Sequence, residues 1–279
     1  VACLKREWRS VLVGAYREGG PGYFALDVTQ PDRLNGDHIP VPTNGYVPSC
    51  FDGGGACANR PYPAVLWEFQ DRAPIEISPG IFVDSRLDED LNDVPDLGNS
   101  WSKAATGRIR VCTGSCTDDD AEDRFVAIFG GGVGDDPTIA TGNFIYMVDI
   151  ETGKTIYKKA LIGAAPADVA AIDTNGDAYI DRLYIGTTAG LLYKVELEKR
   201  ASDPMQISPL DLKTRLSGVN YQYLVDRIVG PTGDEAKYDP FQLFSTGGRP
   251  IYEEVTAIFV SEKNRVAMAF GTGNRWNLW

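Results

Sequence analysis

The chain has 279 residues, and 43% of them are hydrophobic, which supplies a sizeable core and excludes wholesale disorder. Lys and Arg total 27 against 39 Asp and Glu, and the resulting −12 argues against nucleic acid or an anionic membrane as a general partner. No apolar run approaches the ~18–20 residues that a membrane span needs.

The chain opens on Val1-Ala2-Cys3 rather than Met, so it reads as a piece of a longer or processed protein. Residues 8–29, WRSVLVGAYREGGPGYFALDVT, read as strand, Gly-rich turn, strand. Residues 30–63 form a Pro/Gly/Asn-rich loop that holds Cys50 and Cys57 around a glycine cluster, together with His38, the sole histidine. A lone histidine among prolines is expected in solvent and leaves a hydrolase triad without its base. A further strand is expected at 64–69. The acidic tract Asp84–Asp96 has Asp88, Asp90 and Asn92 at alternate positions, as a second cation site would, but no glycine sits within it and it reads as a solvated loop.

Cys112 and Cys116 flank Thr113-Gly114-Ser115. Two small disulfide loops, 50–57 and 112–116, with Cys3 paired upstream, fit an oxidising compartment. A four-cysteine zinc site and buried free thiols remain the alternatives.

The strand–turn–strand design returns at 124–150 (RFVAIFGGG, a loop, NFIYMVDI) and at 182–197 (RLYIGTTAGLLYKVEL), and starts again at 265–274 (RVAMAFGTGN). Each unit begins with Arg or another polar residue and runs through an apolar strand ending in Gly. An aromatic-rich strand then ends on an acid-plus-aliphatic step. Gly130-Gly131-Gly132-Val133-Gly134 lacks the last glycine of a dinucleotide fingerprint. Gly153-Lys154-Thr155 has Val148 where a phosphate loop needs Gly, so 149–154 reads as a turn into a strand at 154–158. The aromatics Trp8, Tyr23, Trp67, Trp101, Phe125, Tyr146, Tyr184 and Tyr193 recur at equivalent places and are expected in the core. Segments 201–217 and 230–250 read as polar loops, with room for one short helix near 200–216. Repeated antiparallel sheets of about four strands indicate an all-β protein, a β-propeller with long loops, and a sandwich is the runner-up.

The most specific stretch is Asp173-Thr174-Asn175-Gly176-Asp177-Ala178-Tyr179-Ile180-Asp181. Oxygen-bearing side chains fall at its positions 1, 3, 5 and 9, and Ca²⁺ takes about 6–8 hard oxygen ligands. Asp173, Asn175, Asp177, the Tyr179 carbonyl and Asp181 form the expected ligand set, with Gly176 allowing the turn. Tyr184 stands where an EF-hand has its position-12 Glu, so this is a calcium loop leading into a strand. An acidic Asn-Gly turn on the surface is the bland alternative.

These runs, with DLGNSWSKAATGRI at 96–109 between the first and second units, occur in one order. Together they resemble the C-terminal propeller domain of the PilY1/PilC family of type IV pilus biogenesis and tip-adhesin proteins. The resemblance covers about residues 8–274 and implies a single quinoprotein-like propeller domain over 1–279, in part or fragment, without the family's N-terminal region. It also implies a Ca²⁺ loop at 173–181. Asn175 replaces a frequent Asp and Ala178 a frequent Gly, and both substitutions are expected to weaken calcium binding.

The function implied is non-catalytic: pilus assembly, control of extension and retraction, and surface adhesion. The partners implied are pilins or minor pilins and a host or abiotic surface ligand. The implied location is the pilus tip, reached through the periplasm and outer membrane. The alternatives are a quinoprotein-like oxidoreductase using pyrroloquinoline quinone and Ca²⁺, and an extracellular scaffold that binds another protein.

Overall fold

The computed structural model describes residues 9–28, 63–71, 75–78, 81–83, 95–112, 121–134, 141–197, 205–206, 238–263 and 265–273. Strands β1 (Val11–Ala15), β2 (Tyr23–Asp27) and β3 (Ala64–Phe69) make a first antiparallel sheet. β4 (Ile75–Ser78) and β5 (Ile81–Val83) pair as a separate hairpin. β6 (Ala105–Cys112), β7 (Ala121–Gly130), β8 (Phe144–Asp149) and β9 (Thr155–Ala160) form an antiparallel meander.

A third antiparallel sheet is ordered β10 (Ala170–Ile172), β11 (Arg182–Gly186), β12 (Leu191–Glu196), β14 (Phe241–Ser245). Between the last two in sequence, β13 (Met205–Gln206) returns to pair in parallel with β6. β15 (Thr256–Val260) and β16 (Arg265–Ala269) close the described chain as a hairpin.

The recurrent unit is an antiparallel pair each time: β1 with β2, β7 with β8, β11 with β12. Its opening arginine and closing acid meet across the pair. Arg9 lies 2.8 Å from Asp27, Arg124 4.0 Å from Asp149 and Arg182 3.9 Å from Glu196. The sequence pattern is therefore a cross-strand charge pair, repeated sheet by sheet.

Side-chain alternation then stacks the sheets. Ala127 and Phe129 of β7, with Tyr146 and Val148 of β8, pack on Tyr23, Ala25, Trp67 and Phe69 of the first sheet. The other face of the same strands, Val126, Ile128, Ile145 and Met147, packs on Leu183, Ile185, Tyr193 and Val195 of the third sheet. That sheet turns Tyr184 and Leu192 the opposite way, onto Ile251, Val255 and the β15–β16 hairpin. Successive sheets thus lie face to face in chain order, as blades do. Among the described residues no closed ring is formed.

Two joints fix the stack. Gly153 sits at a φ of 70° in the 149–154 turn, where an added Cβ would lie 2.4 Å from the Trp67 ring. The Trp67 indole N–H donates to the Ile150 carbonyl at 2.8 Å from the other side. This is a docking turn for a neighbouring tryptophan, consistent with the structural reading of Gly153-Lys154-Thr155. The second joint is ionic: Lys158 Nζ, fully buried, lies 2.7 Å from Asp71 and 2.5 Å from Asp96, and Tyr146 donates to Asp71 at 2.8 Å.

Several expectations are corrected. Phe125 is 59% exposed rather than core, although alternation along β7 puts it on the same face as the buried Ala127 and Phe129. Asp96 belongs to the buried Lys158 group and not to a solvated loop. Segment 230–250 contains β14, and β13 lies at 205–206, while the rest of 200–216, with its room for one short helix, lies outside the described residues. In the 265–274 unit, β16 pairs with the preceding β15. Among the described residues the sheets hold two to five strands rather than four each. His38, Trp8, the Cys50–Cys57 and Cys112–Cys116 pairings, Cys3 and most of the acidic run lie outside the described residues.

Burial alone pushes the Lys158 ammonium down, but Asp71 and Asp96 outweigh it and raise its pKa to about 12. Lys158→Ala strands two buried carboxylates and is expected to lower the unfolding free energy by about 3–5 kcal/mol. The stabilisation from the raised pKa is fully present below the ordinary value of 10.5 and is lost as pH rises through about 12. Urea unfolding of both proteins from pH 7 to pH 12 checks both statements.

Candidate metal centre

Between β10 and β11 the chain leaves the sheet at Ile172 and returns at Arg182, its direct partner in the ladder. The intervening loop is held by its own side chains. Asp173 Oδ1 accepts from the N–H groups of Asn175 at 3.0 Å and Gly176 at 2.6 Å, and its Oδ2 accepts from Ala178 N–H at 2.8 Å. Asn175 Oδ1 accepts from Asp177 N–H and Asp177 Oδ1 from Tyr179 N–H, both at 2.9 Å. Each of these residue types caps the backbone two positions on, which is why a stretch rich in Asp and Asn closes into this turn.

Asp181 shuts the loop from the far end. Its carboxylate is nearly buried, at 4% exposure for the residue, and Oδ2 accepts both the backbone N–H and the hydroxyl of Thr174. The Asn175 amide donates to Asp177 Oδ2 at 3.1 Å and reaches Asp181 Oδ1 at 3.5 Å. Asn175, Asp177 and Asp181 are therefore joined side chain to side chain, while Asp173 is tied to the same loop through backbone N–H groups, and the Asn175 amide protons stand where two carboxylates converge. Thr174, which the sequence reading did not single out, completes the closure. A hydroxyl beside an Asx turn was the available signal.

Electrostatics explain the N–H crowding. Partial burial pushes the Asp173 carboxyl up, yet donation from Gly176, Ala178, Asn175 and Asp177 outweighs it and holds the pKa below the usual range. Asp173, Asp177 and Asp181 bring three negative charges, and among the described residues no Lys or Arg pairs with them. That donor set, hard oxygens without a counter-ion, fits a hard cation such as Ca²⁺. Among the described residues no group of three His, Cys, Asp or Glu is already gathered as a metal cage. The carboxylates are engaged with backbone N–H groups, and the fourth ligand of the set is an amide.

Tyr179 points its side chain away from the loop. Its hydroxyl donates to Asp123 Oδ1 of β7 at 2.8 Å, and the Arg108 guanidinium of β6 lies 4.1 Å from its ring centroid. Its phenol pKa is raised by burial and by Asp123, with Arg108 and Arg110 pulling the other way.

Comparison with known proteins gives the context. No family model matches the chain. It is 24% identical over 204 residues to the type IV pilus biogenesis factor PilY1 of Pseudomonas aeruginosa strain UCBPP-PA14, covering 71% of this chain and 12% of that protein. It is 26% identical over 219 residues to the PilY1 homolog of Xylella fastidiosa strain Temecula1, covering 74% of this chain and 11% of that protein. The chain thus spans about a tenth of the length of these relatives. Its fold is similar to the crystal structure of the Pseudomonas aeruginosa PilY1 C-terminal domain, with a TM-score of 0.53 at 19% identity over 97% of this chain and 42% of that one. The resemblance drawn from the motifs holds, in sequence against two relatives and in fold against a solved domain.

Backbone strain marks one position for test. Ala178 has a φ of 69°, in the left-handed region, where a side chain costs about 1–2 kcal/mol. Ala178→Gly is expected to stabilise the chain by about 1 kcal/mol, and Gly176→Ala, at a φ of 83°, to destabilise it by a similar amount. Urea midpoints of the two variants check the opposite signs.

Proposed function

We propose that this chain is part of a type IV pilus biogenesis protein and works outside the cell at the pilus tip. One observation carries the reading: motifs, sequence similarity and fold likeness all lead to PilY1 and its C-terminal domain. In this reading the stacked sheets are blades of a partial β-propeller, and their face-to-face packing in chain order supports it. The role is non-catalytic: the relatives are named for pilus biogenesis.

The 173–181 loop takes Ca²⁺ in this proposal. Asp173, Asn175, Asp177 and Asp181 hold it through side-chain oxygens and Tyr179 through its carbonyl. The ion supplies positive charge to three carboxylates that otherwise repel one another. The chain's own residues then keep the loop closed, Asp181 through Thr174 and Asp173 through three backbone N–H groups. The ordered loop supports pilus assembly and tunes retraction and adhesion. The partners are pilins or minor pilins and a host or abiotic surface ligand.

The test is genetic. Deleting the gene in its own bacterium is expected to strip surface pili seen by electron microscopy, with the full-length gene restoring them. A complementing gene with Asp177→Ala is expected to restore assembly but to change twitching motility. Undiminished piliation in the deletion strain would contradict the proposal.

A further inference from the structure

The 173–181 loop belongs to the third sheet, yet its second half is anchored in the second one. Tyr179 Oη donates to Asp123 Oδ1 on β7 at 2.8 Å. Its ring lies under the Arg108 guanidinium at 4.1 Å, with the Arg110 guanidinium at 5.6 Å. Both arginines reach the same Asp123, at 3.7 Å each, so carboxylate, phenol and guanidinium groups form one connected cluster. One residue on, the Ile180 N–H donates to the Arg108 carbonyl at 2.8 Å. The Ile180 side chain drops into the shared core and lies over Gly107, where an added Cβ would come within 2.4 Å of Ile180 Cδ1.

These are four kinds of contact from two adjacent loop residues onto β6 and β7: a charge-assisted hydrogen bond, a cation–π contact, a backbone hydrogen bond and apolar packing. The residues on either side carry the loop's own closure. Asp177 Oδ1 fixes the Tyr179 N–H, and Asp181 follows Ile180 directly. Tyr179 therefore has two attachments: its backbone lies in the carboxylate loop and its ring on the neighbouring sheet. The loop cannot open without pulling on β6 and β7.

We propose that Tyr179 and Ile180 make the loop a clasp between the second and third sheets, through which order in the 173–181 loop is transmitted to β6 and β7. Where the proposed function needs only a cation-ordered loop, the clasp names what that order acts on. It rests on the calcium reading for its trigger and on Tyr179 and Ile180 for its linkage. Ordering the carboxylate loop fixes Tyr179 and lowers the freedom of the joint, and emptying it loosens the joint at the Asp123–Arg108–Arg110 cluster. The device is a coupling between two sheets, not a second binding site.

The test is amide hydrogen exchange of the chain with and without CaCl₂, read separately over 173–181 and over 105–112 with 121–130, for the natural protein and Tyr179→Phe. The Phe variant keeps the ring and the packing and loses one hydrogen bond, so it is expected to fold. Calcium is expected to slow exchange in both regions of the natural protein. In Tyr179→Phe the loop stays protected by calcium while the calcium effect on β6 and β7 shrinks about three- to tenfold, the equivalent of one hydrogen bond. Protection of 173–181 alone in the natural protein, or undiminished transmission in both Tyr179→Phe and Tyr179→Ala, overturns the clasp and leaves the calcium reading standing. No protection in either region overturns the calcium reading and the clasp with it.

Discussion

The second sheet has two apolar faces, and the arrangement of the rest follows from that. On β7 and β8 every residue of 126–130 and 145–149 is buried, so neither face can be left to water. Val126, Ile128, Ile145 and Met147 need cover on one side, and Ala127, Phe129, Tyr146 and Val148 on the other. Burying a large apolar side chain is worth about 1.5–3 kcal/mol. Two flanking sheets are the economical solution for eight such positions. The third sheet inherits the same problem, and the β15–β16 hairpin covers its far face. Aromatic contacts add direction to the packing: Tyr23 stacks on Phe129 with centroids 3.7 Å apart, and Phe69 meets Phe129 and Tyr146 edge-on.

Within that stack the 173–181 loop is set where it touches two sheets. It crowds three carboxylates against backbone N–H groups, buries one of them, and has no basic partner among the described residues. Its neighbours across the joint are arginines, but they are spent on Asp123. Positive charge is thus close by and directed elsewhere, which leaves the loop electrostatically incomplete. A hard divalent cation is the species that such an oxygen set suits.

Much of this was legible in the sequence, for local reasons. An apolar strand ending in Gly, a turn and an aromatic strand ending in an acid is a short-range pattern, and β1–β2, β7–β8 and β11–β12 follow it. The Asp/Asn spacing of the loop is equally local, and it closes the turn through side-chain to backbone hydrogen bonds from Asp173, Asn175 and Asp177. What escaped depends on distant chain. β6 reads ATGRIRVC, with glycine and two arginines obscuring an apolar face carried by Ile109 and Val111 with Ala105 beside them. β14 is a strand because β12 offers an edge, although all five of its residues are exposed. Phe125 shares the unit's aromatic pattern but is 59% exposed. Tyr179 was legible as a carbonyl ligand, while the destination of its ring, some 56 residues back at Asp123, was not.

The most direct measurement is a calorimetric calcium titration of the purified chain, run beside Asp177→Ala. The account predicts one binding site in the natural chain and none in the variant. No binding in either protein, or equal binding in both, would contradict it and reduce the loop to an acidic turn that joins two sheets.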